Sequence, residues 1–173
     1  GKIIGADAIK DVYSTATRAW MDQHGGDGNS LRPVELRPTE QVAALDTGRI
    51  DAVVLKSPYL QGALASGKFR VLAKPLDAIG TRFLLSCWVA SADYIAKNAE
   101  LVNGFVSSLT EAARYTNANQ AATVDLVAGF TGQDAATIGR GIRSITAETI
   151  TLADLQRPLD FAVKYGIIEK SFD

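Results

Sequence analysis

The sequence predicts an α/β lobe over residues 1–84, followed by a segment made of helices alone. Three observations predict it. Short apolar runs alternate with amphipathic stripes through the first half, the pattern of a parallel sheet with crossover helices. The stretch 36–64, LRPTEQVAALDTGRIDAVVLKSPYLQGAL, reads as strand end, helix, strand, helix, with each boundary signalled. Beyond Ser91 the apolar residues recur only at helical spacing.

In order, residues 2–6 make a first strand, and a helix over 8–24 carries Ile9, Val12, Tyr13, Ala16, Ala19 and Trp20 on one stripe. Glycines and polar residues at 25–30 form a loop, and 34–37 is the second strand. Thr39 caps a short helix whose apolar side is Val42, Ala43 and Leu45, and Gly48 ends it. Residues 50–55 are apolar except for Asp51, as expected of a parallel strand covered on both faces. Ser57 as N-cap and Pro58 at the first helical position open the next helix, which Gly67 closes. A fourth strand follows at 69–73, a turn at 75–76, and then the longest strand-like run, FLLSCWVA at 83–90.

In the helical part, Ser91 caps 92–97, and Asn98 caps a helix to about 116 with Leu101, Val102, Phe105, Leu109, Ala112 and Ala113 on its stripe. Helices at 121–130 and 133–142 come next, the latter weakened by Gly139 and Gly141. Thr151 and Asp154 form a capping box with Asp in place of Glu. Pro158 predicts a kink there, or a helix that starts only near Arg157.

Composition excludes several classes. A net charge of −1 with 21% charged residues gives no basic face for nucleic acid or an anionic membrane. No apolar run approaches the length of a membrane span. With one His and one Cys, the chain has neither an intrachain disulfide nor a Cys/His metal pattern, and it lacks a phosphate-binding Gly loop and a nucleophile elbow. No cofactor is expected.

Gln41, Ala44, Leu45, Gly48, Ile50, Asp51, Ala52, Pro58 and Tyr59 fall in a spacing that resembles the solute-binding proteins of ABC importers. The branch is the nitrate, sulfonate and taurine type, which also holds binding proteins for pyrimidine precursors of thiamine. The tail LDFAVKYGIIEKSFD is similar to the end of that family. The resemblance implies a type II periplasmic-binding fold. Residues 1–84 would be the α/β ligand-binding lobe, 85–92 a hinge-crossing strand, and 93–173 the helical part of the other lobe. It also implies that the segment preceding the GKIIG strand in the family is missing; the helical stripes then repack on the remaining lobe, meet that segment as a separate piece or, the reading chosen here, cover one another in a homodimer.

In doubly wound sheets ligands sit at the carboxyl ends of the strands. Those ends here are Ala6 and Asp7 after the first strand, and Lys56, Ser57 and Tyr59 after the third. Asp7 caps its helix or contacts ligand. Lys56 pairs with a carboxylate or sulfonate ligand, or is a solvated lysine, and Ser57 is a ligand contact or a cap. Tyr59 lines the cleft or packs in the core. Trp88 faces the cleft near the hinge, with Arg82 and Ser86 as nearby polar candidates. His24 belongs to a helix C-terminus, and Cys87 is expected to be buried and inert. The function implied is capture of a small polar, anionic solute in the periplasm for ABC permease subunits, with no chemistry and no membrane insertion. A ligand-sensing domain of a LysR-type regulator is the alternative. An enzyme of pyrimidine-precursor synthesis would need the His and Cys clusters this chain lacks.

Overall fold

The computed structural model describes residues 1–57, 59–132 and 134–171, and the chain divides into two units, Gly1–Leu85 with Thr151–Asp173, and Ser86–Ile150. In the first unit, β1 (Ile3–Ala6), β2 (Arg32–Glu35) and β3 (Ala52–Val53) form a parallel sheet in the order β2-β1-β3. Pro33 is tolerated because β2 is an edge strand. Asp51, which interrupts the apolar run, accepts from the Ile3 amide (2.8 Å) and Lys2 Nζ (2.9 Å) and so secures the start of β1.

Side chains alternate across a strand, and the register places Gly5, Val34 and Val53 in one row. That face meets α2 (Pro38–Asp46) in a core of Leu36, Ala44 and Ile50, with Ile3, Leu45, Val34 and Val53 packed around it. Gly5 is required by packing: a Cβ there would lie 2.7 Å from Ile50 Cδ1 and 3.2 Å from Val53 Cγ2. α2 differs from the sequence reading in detail. Pro38 starts it without a side-chain cap, Thr39 and Ala43 are exposed, and the buried positions are Gln41 and Ala44.

α1 (Val12–Gln23) begins later than expected, because Asp11 rather than Asp7 caps it, accepting from the Ser14 amide at 2.7 Å. Its buried side is Ser14, Thr15, Ala16 and Ala19, while Ile9 is exposed. Burial of the two hydroxyls is offset by bonds to the carbonyls of Ala8 and Asp11. Ala19 packs with Ala78 and with Tyr165, the C-cap of α8 (Leu152–Lys164).

α8 belongs to the first unit, whereas the sequence reading placed it in the helical segment 93–173. The cause is Asp154. Its carboxylate completes the Thr151 capping box and also receives Arg82 Nε (2.7 Å) and Nη2 (2.9 Å). The helix starts at Leu152 and contains Pro158. Proline has no N–H for the carbonyl four residues back, and that carbonyl, Asp154 O, is taken by the Leu84 amide at 2.8 Å. Further along, Asp22 of α1 accepts from the Tyr165 hydroxyl (2.6 Å), Lys164 Nζ (3.2 Å) and the Gly28 amide (2.7 Å).

Residues 69–73 and 83–90 form no strand among the described residues. A strand needs a neighbour for its N–H and C=O groups, and in 83–90 the Leu84 amide is spent on Asp154. Cys87 is accordingly exposed rather than buried, and Val71, Leu72 and Val89 are exposed as well.

The second unit contains α4 (Ala92–Lys97), α5 (Ala99–Ala118), α6 (Val124–Thr131) and α7 (Ala135–Arg140). Ser91 and Asp134 cap α4 and α7 as N-cap acceptors, and Gly132, at φ 69°, ends α6. Gln133, where the reading started α7, lies outside the described residues. Asn98 sits at the N-cap position of α5 without a cap bond, because its amide turns back to the Tyr94 carbonyl. Asn117 pairs both ways with the Thr146 backbone, and Arg143 reaches Gln120 O and Thr123 Oγ1. The outer rows of α5 and α6, Leu101, Phe105, Leu126 and Phe130, are exposed, Phe130 to 92%.

Gly5→Ala is expected to lower stability by about 1–3 kcal/mol through overpacking, read as a reduced urea midpoint. Ala43→Ser at an exposed position should change it by less than about 0.5 kcal/mol. Equal midpoints for the two variants would contradict the packing described.

Tyr165, the Gly28 amide and Lys164 hold the Asp22 carboxyl down to about 2, from an ordinary value of 3.8. The folded-state value is the depressed one, so the stability this group contributes is fully present above the ordinary value and is lost as pH falls towards about 2. The melting temperature should therefore drop on acidification through that window, and Asp22→Asn should flatten the drop. Superimposable acid limbs for the two proteins would remove Asp22 from the account.

Candidate functional site

The carboxyl ends of β1 and β3 lie side by side because both strands run parallel and adjacent. The chain leaves β1 through Ala6 into Asp7, and leaves β3 through a short extended stretch to Lys56. There Lys56 Nζ meets Asp7 Oδ2 at 2.5 Å and stands 4.3 Å above the centroid of the Tyr13 ring on α1. Glu35 holds the turn after Asp7 by accepting from the Ile9 amide at 2.9 Å.

Asp7 is anchored from beneath. Gln41, only 1% exposed, donates from Nε2 to Asp7 Oδ1 (2.7 Å) and to the Leu36 carbonyl (3.0 Å). Burial pushes the Asp7 carboxyl up, but the bonds from Lys56 and Gln41 and the Lys56 charge outweigh it and leave the value below the ordinary one. Burial pushes the Lys56 ammonium down, and Asp7 more than restores it, so its value is raised. Both groups are charged at neutral pH. Asp7 is therefore not the helix cap, which is Asp11, but the partner of Lys56.

The remaining candidates fall as follows. Ala6 is buried, and its carbonyl accepts from the Leu36 amide at 3.0 Å. Ser57 Oγ receives Gln61 Nε2 at 2.8 Å, and Tyr59, the first residue of α3 (Tyr59–Ala65), is exposed. The role read for Pro58 lies outside the described residues. Trp88 belongs to the second unit, where it is 77% exposed and meets Phe105 edge to face at 5.6 Å. Arg82 is engaged by Asp154, and Ser86 is exposed. His24 ends α1, stacked on Trp20 with ring centroids 4.0 Å apart.

Gln41 and Tyr13 are the members that sequence reasoning did not single out for the site. The signal for Gln41 was present, as a polar residue on the same helical side as Ala44 and Leu45. Nothing local marked Tyr13, since its stripe position reads equally as core. Among the described residues, no three His, Cys, Asp or Glu side chains are grouped so as to hold a metal ion, and no helix is long and apolar enough to cross a membrane. The arrangement offers a fixed carboxylate, an ammonium and an aromatic face, which suits recognition of a charged small molecule.

Residues 5–130 match the NMT1-like family. The chain is 26% identical over 161 residues to a protein of Escherichia coli (strain K12) named for binding aliphatic sulfonates, covering 88% of this chain and 49% of the relative. Its structure is similar to that of the periplasmic aliphatic sulphonate-binding protein SsuA from Escherichia coli, with a TM-score of 0.70 and 25% identity over all of this chain and 57% of that one. It is also similar in fold to the alkanesulfonate-binding protein SsuA from Xanthomonas axonopodis pv. citri bound to MOPS, with a TM-score of 0.60 and 21% identity over 81% of this chain and 47% of that one. The chain spans about half the length of these relatives. The α/β, periplasmic-binding-protein-like fold class follows from these likenesses and from the parallel sheet.

Gln41→Leu removes the amide that serves both Asp7 and the Leu36 carbonyl, leaving the buried carbonyl without that donor and Asp7 with Lys56 alone. A loss of about 1–3 kcal/mol is expected in chemical denaturation. An unchanged unfolding midpoint would show that the amide does not support the turn.

Proposed function

The chain belongs to the NMT1-like family, and on that premise we propose that it captures a small anionic solute of the sulfonate class as the substrate-binding component of an ABC importer. The observation that carries this reading is the Lys56 ammonium at the joined carboxyl ends of β1 and β3, where doubly wound sheets bind ligands. An ammonium has three donors, and Asp7 and the Tyr13 face leave it able to turn towards an acid group. The relatives named for sulfonate binding support the reading over a regulator's effector domain.

In this proposal Ala6, Asp7, Lys56, Ser57 and Tyr59 form the first unit's share of the ligand shell. The protein works in the periplasm and delivers its solute to permease subunits. It performs no reaction on the solute. Among the described residues of the site no nucleophile is paired with a base, which supports the reading as a receptor.

Titration calorimetry with ethanesulfonate tests it. Binding is expected for the natural sequence, and Lys56→Met should weaken it by about 1–3 kcal/mol, the loss of one charge-assisted hydrogen bond. Absence of any sulfonate binding by the natural chain would overturn the reading. Unchanged affinity in the variant would take Lys56 out of it.

A further inference from the structure

We propose that Asp7 is an internal competitor for Lys56, an affinity-setting residue that an acid must displace before the lysine can hold it. The inference rests on the sulfonate-capture reading and concerns how tightly the site holds a solute, not which solute it holds.

The competitor is held in place before any solute arrives. Gln41, almost fully buried, donates to Asp7 Oδ1 at 2.7 Å and to the Leu36 carbonyl at 3.0 Å, which ties the carboxylate to the core beneath it. Asp11 caps α1 and leaves Asp7 free of that duty. Among the described residues, Asp7 Oδ2 receives Lys56 Nζ alone. An ordinary surface ion pair is weakened by the freedom that both side chains lose. Here one partner has already lost it to Gln41, and the Tyr13 ring, 4.3 Å from Nζ, backs the other.

An acid that approaches Lys56 meets this carboxylate as a rival. The side chains of Lys56 and Asp7 keep 42% and 28% of their accessible surface, so the approach is open. Asp11, from the start of α1, also acts on the lysine by its charge, and Glu35, at the end of β2, accepts from the Ile9 amide in the turn after Asp7. Turning towards the solute takes the ammonium from Asp7, and the solute is then repelled by the carboxylate left behind. That repulsion is proportional to the solute's charge. Its cost in free energy therefore doubles between a singly and a doubly charged acid of the same shape. Were Asp7 instead a support that holds Lys56 ready for solute, removing its charge would weaken binding.

Calorimetry on the 173-residue chain separates the two roles. Asp7→Asn, which keeps an oxygen for Gln41, should tighten ethanesulfonate by at least about fivefold. Ethylphosphonate has the same shape and a second charge at about pH 9, so its gain there should be nearly the square of that, about twentyfold. Lys56 keeps its own charge at that pH, since burial lowers its value but Asp7 more than restores it. Unchanged or weaker ethanesulfonate binding by the variant overturns the inference and leaves the sulfonate reading standing, and equal gains for the two acids overturn it too. A measurement on the natural chain serves even if the variant fails to fold. Burial pushes the Asp7 carboxyl up, and Lys56 and Gln41 hold it below its ordinary value. Carbon-13 NMR should show it titrating about one pH unit or more higher once ethanesulfonate saturates the site and draws Lys56 away. An unmoved titration with ethanesulfonate bound overturns the inference. Failure of ethanesulfonate to bind either protein at millimolar concentration overturns both readings.

Discussion

The first unit depends on how Asp154 is satisfied. A buried carboxylate is costly unless every lone pair is met, and this one is met by the Arg82 fork and by the amide and hydroxyl of Thr151. Arg82 first, then Thr151, hold its carboxyl far below the usual carboxylate range, so it is ionised throughout the physiological span. The same residue's carbonyl, freed by Pro158, takes the Leu84 amide. One residue therefore starts α8, orients it and attaches it to a segment some seventy positions earlier. With α8 in place, Tyr165 reaches the Ala19–Ala78 core and Asp22.

The site inherits its geometry from the sheet rather than from any loop of its own. Parallel neighbours bring successive strand ends to one edge, and β1 lies in the middle of three. Whatever follows β1 must therefore meet whatever follows β3. Two opposite charges at those points, Asp7 and Lys56, close on each other, and the buried Gln41 decides which of the two stays still.

Much of this was legible in the sequence, and the failures share a cause. Local chemistry was read well. The Ser91 cap and the Thr151–Asp154 box appear as expected, and the glycine after α2 adopts its left-handed conformation. The parallel lobe and the placement of Lys56 at a strand end followed from run lengths and boundaries. What could not be read was partnership at long range. FLLSCWVA has the composition of a strand, yet whether it becomes one depends on a neighbour for its backbone groups. Pro158 read as a break because the Leu84 amide that accommodates it lies far away in sequence. Asp7 read as a helix cap or a ligand contact because the stripe suggested a helix from Ala8, whereas the helix starts at Val12 and Asp11 caps it. Gln41 was visible as a motif position and as a polar residue on an apolar helical side, but the bonds of its amide to Asp7 and the Leu36 carbonyl were not.

The exposed Cys87 has a consequence for how the molecule can be joined to others. It is the chain's sole sulfhydryl. Air oxidation can therefore link two molecules through it and no more, because a coupled pair has no thiol left to offer. A non-reducing gel would show a ladder of two rungs. By the same token, a maleimide-bearing fluorophore, spin label or surface tether attaches at a single defined address, one residue from Trp88.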